Sequence, residues 1–358
     1  MKKWAAATAL LSSLGFWTNA QAESEVSTYI VNGENTTISA YASFASLFYD
    51  RIEFDGIYGT RAFCGATVLD STHVLTAAHC LYDDDGELNY EYMLFATVGQ
   101  ADDENDFPSS VTTVRAERFF IHPGFQDSES SLWANDIAVI ELESSLNSQG
   151  TVSLPSSEAY RLGSDGVDND TNDYEFQIVG HGNTITGSDG TTQLQYADMN
   201  YVSNNTCNNN LSALTNKQIC FKGISTTPNA SLTSGTCQGD SGGPVYWNDS
   251  GNLVQVGITS FGPATCGEGF TGSDVTAVFT EVYDYGTWID SVLAGNETAV
   301  FVGTDAKRRA YLAGTFDPDS PSGIVVPSSG GGGGSLGPWL LAILAGVALW
   351  RRRESLGA

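Results

Sequence analysis

Short apolar runs broken by polar turns fill the chain from Ala42 to Val98, with Ala66–Leu69 and His73–Ala77 as examples. Runs this short suit strands, and no helical period organises them. Further along, Phe119–Phe125 reads as a strand end and a turn around His122-Pro123, and Val254–Phe261 and Ala277–Val282 read as strands. Val282–Leu293 differs, because its Val, Tyr, Trp, Ile, Val and Leu recur at helix-like spacing. The pattern predicts an all-β domain closed by a carboxy-terminal helix. Glu297–Ser329 mixes polar and apolar residues with several prolines and reads as a linker or small extension, too short for an independent domain.

The two ends read differently. Lys2 and Lys3, a largely apolar Ala5–Phe16 and the small-x-small triplet Ala20-Gln21-Ala22 make residues 1–22 a signal peptide. The apolar run is too short for a membrane anchor. Export moves the cysteines into an oxidising compartment, so Cys64, Cys80, Cys207, Cys220, Cys237 and Cys266 are expected in disulfides, with fifteen connectivities open. A metal site is the poorer reading, since no CxxC pair occurs and only His79 adjoins a cysteine.

Charge narrows the function. The 358 residues carry a formal net charge of −27 with a pI near 4.1, which repels a phosphate backbone and argues against nucleic acid as partner. Asp83–Glu87, Asp102–Asp106 and Asp168–Asp173 are dense enough in carboxylates for Ca²⁺. None has full EF-hand spacing, and charge runs are usually solvated loops, so no cofactor or metal is expected.

One stretch carries chemistry. In Gly239-Asp240-Ser241-Gly242-Gly243-Pro244 a serine sits on a tight glycine turn that frees backbone N–H groups to converge. A serine hydroxyl needs a base, and the base an orienting group. Upstream stand Thr76-Ala77-Ala78-His79-Cys80 and Asn135-Asp136-Ile137-Ala138. The order His, Asp, Ser with these flanks resembles the chymotrypsin/trypsin family of serine proteases, over about residues 30–296. An α/β-hydrolase would present Ser, Asp, His.

The resemblance implies two packed six-stranded antiparallel β-barrels with a carboxy-terminal helix. It implies a triad of His79, Asp136 and Ser241, and an oxyanion hole from the N–H groups of Gly239 and Ser241. It pairs Cys64 with Cys80, Cys207 with Cys220 and Cys237 with Cys266. Substrate would lie along Ser260, Phe261 and Gly262, with Gly235, Thr236, Gln238 and Ala277 around the pocket. Gly235 stands where trypsin-like members carry an acid, which implies cleavage after apolar or aromatic residues. Ile30-Val31-Asn32-Gly33 resembles the family's mature amino terminus, so residues 23–29 would be a propeptide cut at Tyr29–Ile30, freeing an ammonium for Asp240. His181 departs from the family, standing where most members have Trp, and reads as a packing change.

Residues 330–358 join a glycine run, apolar Leu336–Trp350 and Arg351–Arg353, and resemble the GlyGly-CTERM sorting signal of Gram-negative bacteria. That implies transient membrane insertion, a rhomboid-like sorting protease, type II secretion through the periplasm and a secreted or surface-bound product. Protein or peptide substrates are the expected partners. The alternative is a protease-like binding or adhesion protein held at the surface, for which a triad member would normally be missing.

Overall fold

The computed structural model describes residues 30–162, 175–188, 190–209, 211–224, 232–320 and 322–325. In chain order the first half gives β1 (Glu34–Asn35), β2 (Phe44–Arg51), α1 (Ile52–Asp55), β3 (Ile57–Val68), β4 (His73–Thr76), α2 (Tyr90–Phe95), β5 (Ala96–Gly99), β6 (Thr113–Ile121) and β7 (Ala138–Leu142). The second half gives β8 (Phe176–Gly180), β9 (Gln195–Val202), α3 (Asn204–Asn208), β10 (Gln218–Gly223), β11 (Pro244–Asp249), β12 (Asn252–Phe261), β13 (Ala277–Glu281), α4 (Gly286–Leu293), β14 (Phe301–Val302) and α5 (Asp305–Leu312).

Each half closes on itself. The order β6-β5-β2-β3-β4-β7 returns to β6, and β9-β10-β13-β12-β11-β8 returns to β9, every pairing antiparallel. These are the two expected six-stranded barrels, closure pairing each barrel strand with two neighbours, and β1 and β14 add to the rims. Leu47, Val98, Phe119 and Ile140 fill the first, and Ile178, Met199, Phe221 and Phe279 the second. Because side chains alternate along a strand, one apolar face per strand is enough to fill each interior.

Two local expectations need revision. The helical pattern of 282–293 splits into a tight 3₁₀ turn at Val282–Tyr285 and then α4, which returns Ile289 and Val292 to the first barrel. Tyr90–Phe95 lies in the stretch read as strands and turns but is helical. Asn89 caps it, its Oδ1 accepting from Tyr92 N at 3.0 Å, a local signal stronger than the surrounding strand texture.

Residues 297–329 are read above as a linker or small extension, and the described part takes the second form: it is built into the fold. β14 adds to β6, with Phe301 opposite Phe119 and Val302 opposite Arg118. Thr304 caps α5, and the wholly buried Arg308 donates to Leu94 O at 2.7 Å, Ala116 O at 3.0 Å and Glu143 at 2.6 Å. Phe316 and Tyr311 pack edge-on to Tyr90 and Phe95. Charged sequences such as Lys307-Arg308-Arg309 look solvated until a fold supplies carbonyls to meet the guanidinium. Arg308→Ala would leave two buried carbonyls unmet, at about 1–3 kcal/mol each. Thermal unfolding of that variant, in a Ser241→Ala background to prevent self-digestion, should show a Tm several degrees lower; an unchanged Tm would mean the segment is not part of the folded unit.

Candidate active site

Asp136 lies at the seam between the barrels with no exposed surface. Its Oδ1 accepts the His79 backbone N–H at 2.9 Å, and its Oδ2 faces His79 Nδ1 at 2.7 Å. The second barrel adds two contacts: Ser260 Oγ donates to Oδ2 at 2.6 Å, and Thr280 Oγ1 donates to the Asp136 carbonyl at 2.8 Å. The approach is shaped by Asn135, held at φ +60° by bonds from its amide to Gly124 O and from Tyr285 OH to its Oδ1. Burial pulls the His79 imidazole down, but the charge and hydrogen bond of Asp136 more than reverse this, and Asp127 adds to them, so its pKa lies above the ordinary histidine value. Among the described residues no hydrogen bond joins His79 to the Ser241 hydroxyl, a contact that commonly tightens only in the substrate complex.

The loop bearing Ser241 is pinned from both barrels. Gly65 N donates to Ser241 O at 2.8 Å and Gly242 N to Thr259 O at 2.9 Å. Gln238 O accepts from Asn183 N at 2.7 Å. Across a trans peptide the N–H points opposite to the C=O, so the Gly239 N–H is turned away from Asn183. Neither Gly239 N nor Ser241 N has an acceptor among the described residues. Gly239 adopts φ +103°, and a Cβ there would lie 2.9 Å from Gly182 Cα, so only glycine fits.

Asp240 turns inward. Its carboxylate accepts from Gly182 N at 2.8 Å and Cys237 N at 2.9 Å, and no cation pairs with it among the described residues. Burial outweighs these two bonds and pushes its pKa up to about 7. Ile30 is completely buried in the core of the second barrel, and Val31 packs on Cys237 and Cys266. Ile30 also holds φ +41°, a strained setting for a β-branched residue. Tyr29 lies outside the described residues, as do residues 1–22 and 330–358, the stretches read as a signal peptide and a sorting tail; among the described residues no helix is long and apolar enough to cross a membrane.

Beside Ser241 opens a cavity of about 140 Å³, lined by Thr236, Gln238, Ser260, Phe261 and Gly262 as expected. Gly235 and Ala277 do not line it: Gly235 bridges to Val31, and Ala277 sits in the barrel core. The disulfide Cys237–Cys266, Thr259 and Pro263 complete the wall, and no carboxylate is among the lining residues. Asp274 pairs with Lys222 at 3.0 Å instead, and Glu268 is exposed. Cys64–Cys80 and Cys207–Cys220 are also joined.

Elsewhere the acidic stretch 102–106 serves the fold. Asp102 accepts from Ile38 N and buried Glu104 from Ala62 N. Among the described residues, the group of potential metal-ligand atoms is His79 with Cys64 and Cys80, whose sulfurs are committed to their disulfide. His181 is buried against Phe44, and burial lowers it to about 4, so it packs as a neutral ring.

This combination of a double barrel and a His–Asp pair beside a serine on a glycine turn is that of a serine endopeptidase. The trypsin family profile matches residues 30–289, and the chain belongs to that family. It is 30% identical over 290 residues to snake venom serine protease Haly-2 of Gloydius brevicauda, covering 78% of this chain and 92% of that protein. To a trypsin-like protease of Streptomyces glaucescens it is 32% identical over 222 residues, covering 61% and 70%. CLIP domain-containing serine protease B4 of Anopheles gambiae is 28% identical over 273 residues, covering 73% and 69%. The structure of neuropsin, a serine protease of mouse brain, shares the fold at a TM-score of 0.54 and 22% identity, covering 73% of this chain and 98% of that one.

Sequence reasoning placed Ser260 along the substrate and missed its bond to Asp136, for which no local pattern exists. Ser260→Ala should lower kcat/KM by roughly tenfold or more, since a hydrogen bond to a charged group contributes about 1.5–3 kcal/mol. Steady-state kinetics with a short peptide amide would measure it; wild-type rates would show that the bond does not matter to turnover.

Proposed function

We propose that this endopeptidase acts through Ser241, His79 and Asp136, is made as a precursor cut at Tyr29–Ile30, and cleaves after apolar or aromatic residues. The observation that carries the mechanism is the Asp136–His79 pair, bonded through Asp136 to Ser260, which lines one cavity with Ser241, a serine whose loop holds two N–H groups without an acceptor among the described residues. Ser241 Oγ attacks the scissile carbonyl while its proton passes to His79 Nε2. Asp136 keeps the other ring nitrogen protonated and stabilises the imidazolium. The carbonyl oxygen, now an oxyanion, is met by the N–H groups of Gly239 and Ser241. His79 then hands its proton to the leaving amine, and water repeats the sequence on the acyl-enzyme. No cofactor enters these steps. Ser241→Ala should abolish hydrolysis and fluorophosphonate labelling while the protein still folds; full residual activity would overturn the mechanism. Because His79 is held above the ordinary value near 6.5, kcat/KM should fall on the acid side at a pH above that, and Asp136→Asn should move this limb downward.

The cavity supports the P1 reading, P1 being the residue that supplies the scissile carbonyl. A substrate Lys or Arg would find no carboxylate there, whereas the disulfide, Phe261 and Pro263 offer apolar contact. A peptide-library profile showing Arg or Lys at P1 would refute it.

The precursor reading rests on Asp240 and Ile30. A buried carboxylate with two amide bonds and no cation is costly, and a freed Ile30 ammonium would neutralise it. The strained Ile30 backbone is relieved by a cut before it. Linkage gives the sign. Asp240 at about 7 in the uncleaved fold, against about 3.9 unfolded, means the native state holds the extra proton between those values. The uncleaved Ser241→Ala protein should therefore lose stability as pH rises from about 4 to about 7. After cleavage the ammonium lowers Asp240 and this loss should vanish. Tm against pH for the two forms would measure it, and an identical pH dependence would count against the switch. Export by the signal peptide, and sorting by the tail in a Gram-negative bacterium, complete the proposal; intact mass of the extracellular form would show whether residues 336–358 are removed.

A further inference from the structure

The loop between β6 and β7 holds a carboxylate that the mechanism does not use. Gln126 N donates to Ala134 O at 3.1 Å and closes residues 126–134 into a compact loop. Inside it, Trp133 Nε1 donates to Asp127 Oδ1 at 3.0 Å. The loop crosses to the second barrel: Leu132 O accepts from Gln218 Nε2 at 2.7 Å, and the Trp133 ring lies 5.3 Å from that of Phe261, a wall of the cavity beside Ser241. Leu132 and Trp133 both hold left-handed backbone, at φ +49° and +47°. Two successive bulky residues in that region are unfavourable, and the Asp127–indole bond and the Phe261 contact hold them there.

The other carboxylate oxygen, Asp127 Oδ2, faces the Gly86 turn, 3.5 Å from where a Cβ on Gly86 would be. That turn carries exposed Asp83, Asp84, Asp85 and Glu87 and follows His79 and Tyr82 in the chain. The charge of Asp127 is felt at both, after burial and Asp136 for His79 and after burial for Tyr82. A substrate strand paired with Ser260–Gly262 presents successive side chains to opposite faces. With P1 in the cavity, the preceding residue, P2, points away from it; Trp133, against Phe261, and Asp127, whose charge reaches His79, stand on the first-barrel side of that strand. An indole face with a carboxylate fixed at its edge suits a cation.

Building on the protease reading above, we infer that Asp127 and Trp133 form a cation-accepting subsite that selects Lys or Arg at P2. The substrates are then peptides in which a basic residue precedes the apolar or aromatic residue at the cut. Trp133 supplies the ring face and Asp127 the counter-charge, while the carboxylates of the Gly86 turn repel acidic P2 residues.

The test uses activated full-length protein and peptides that differ only at P2, as Lys, norleucine or Glu, with P1 fixed at the residue a library profile selects. kcat/KM should favour Lys over norleucine by roughly three- to tenfold, with Glu poorest, and the preference should shrink between low and high salt. Asp127→Asn keeps an acceptor for the indole and removes the charge, so the Lys-to-norleucine ratio should approach one. Trp133→Leu should also reduce it. A wild-type ratio at or below one, or a ratio unchanged in Asp127→Asn, overturns the inference. Fluorophosphonate labelling counts competent sites in each variant; if Asp127→Asn fails to label, the wild-type ratio and its salt dependence decide. Absence of labelling in the wild type would sink the protease reading instead, which keeps the two failures apart.

Discussion

A buried carboxylate at the seam of two barrels governs this molecule. Asp136 takes hydrogen bonds from the backbone and ring of His79 on one side and from Ser260 on the other, while Thr280 holds its carbonyl. A charge so placed is tolerated only when every acceptor site is met. Meeting them fixes the angle between the barrels and the orientation of the imidazole together. The same bonds that make the burial affordable therefore set the geometry on which proton transfer depends.

Asp240 is the counter-example within the same chain. It is buried as deeply but, among the described residues, receives only two amide bonds and no cation, and its carboxyl is pushed up to about 7. Asp136 is satisfied by its hydrogen bonds, and Asp240 has no cation beside it among the described residues. That difference suits Asp136 to permanent architecture and Asp240 to the proposed switch, in which a freed ammonium would change its energy far more. The left-handed Ile30 places a second local cost at the same junction.

Past the residues matched to the family, the chain returns to the first barrel instead of trailing away. Arg308 shows how this happens. Its guanidinium reaches two backbone carbonyls and Glu143 that belong to distant segments, so its burial is complete. The Tyr311 hydroxyl donates to Glu91 at 2.7 Å, which also bonds Tyr49, and ties the extension to the β2–β3 hairpin.

His79, Asp136 and Ser241 were legible in the sequence because their flanks are local: a strand end before the histidine, an Asn-Asp-Ile turn and a glycine-rich loop. The strand texture and the three cysteine pairs followed from short apolar runs and from the family resemblance. Other features had no local signature. Ser260 as a partner of Asp136, the absence of Gly235 and Ala277 from the cavity wall, Trp133 lying over Phe261, and the folding back of residues 297–325 all join segments far apart in the chain. A residue type and its neighbours determine what chemistry and what element are available, through periodicity, turn propensity and donor inventory. Which carbonyl meets Arg308, or which ring covers Phe261, depends on how closed barrels bring remote strands together, and only the tertiary structure decides that.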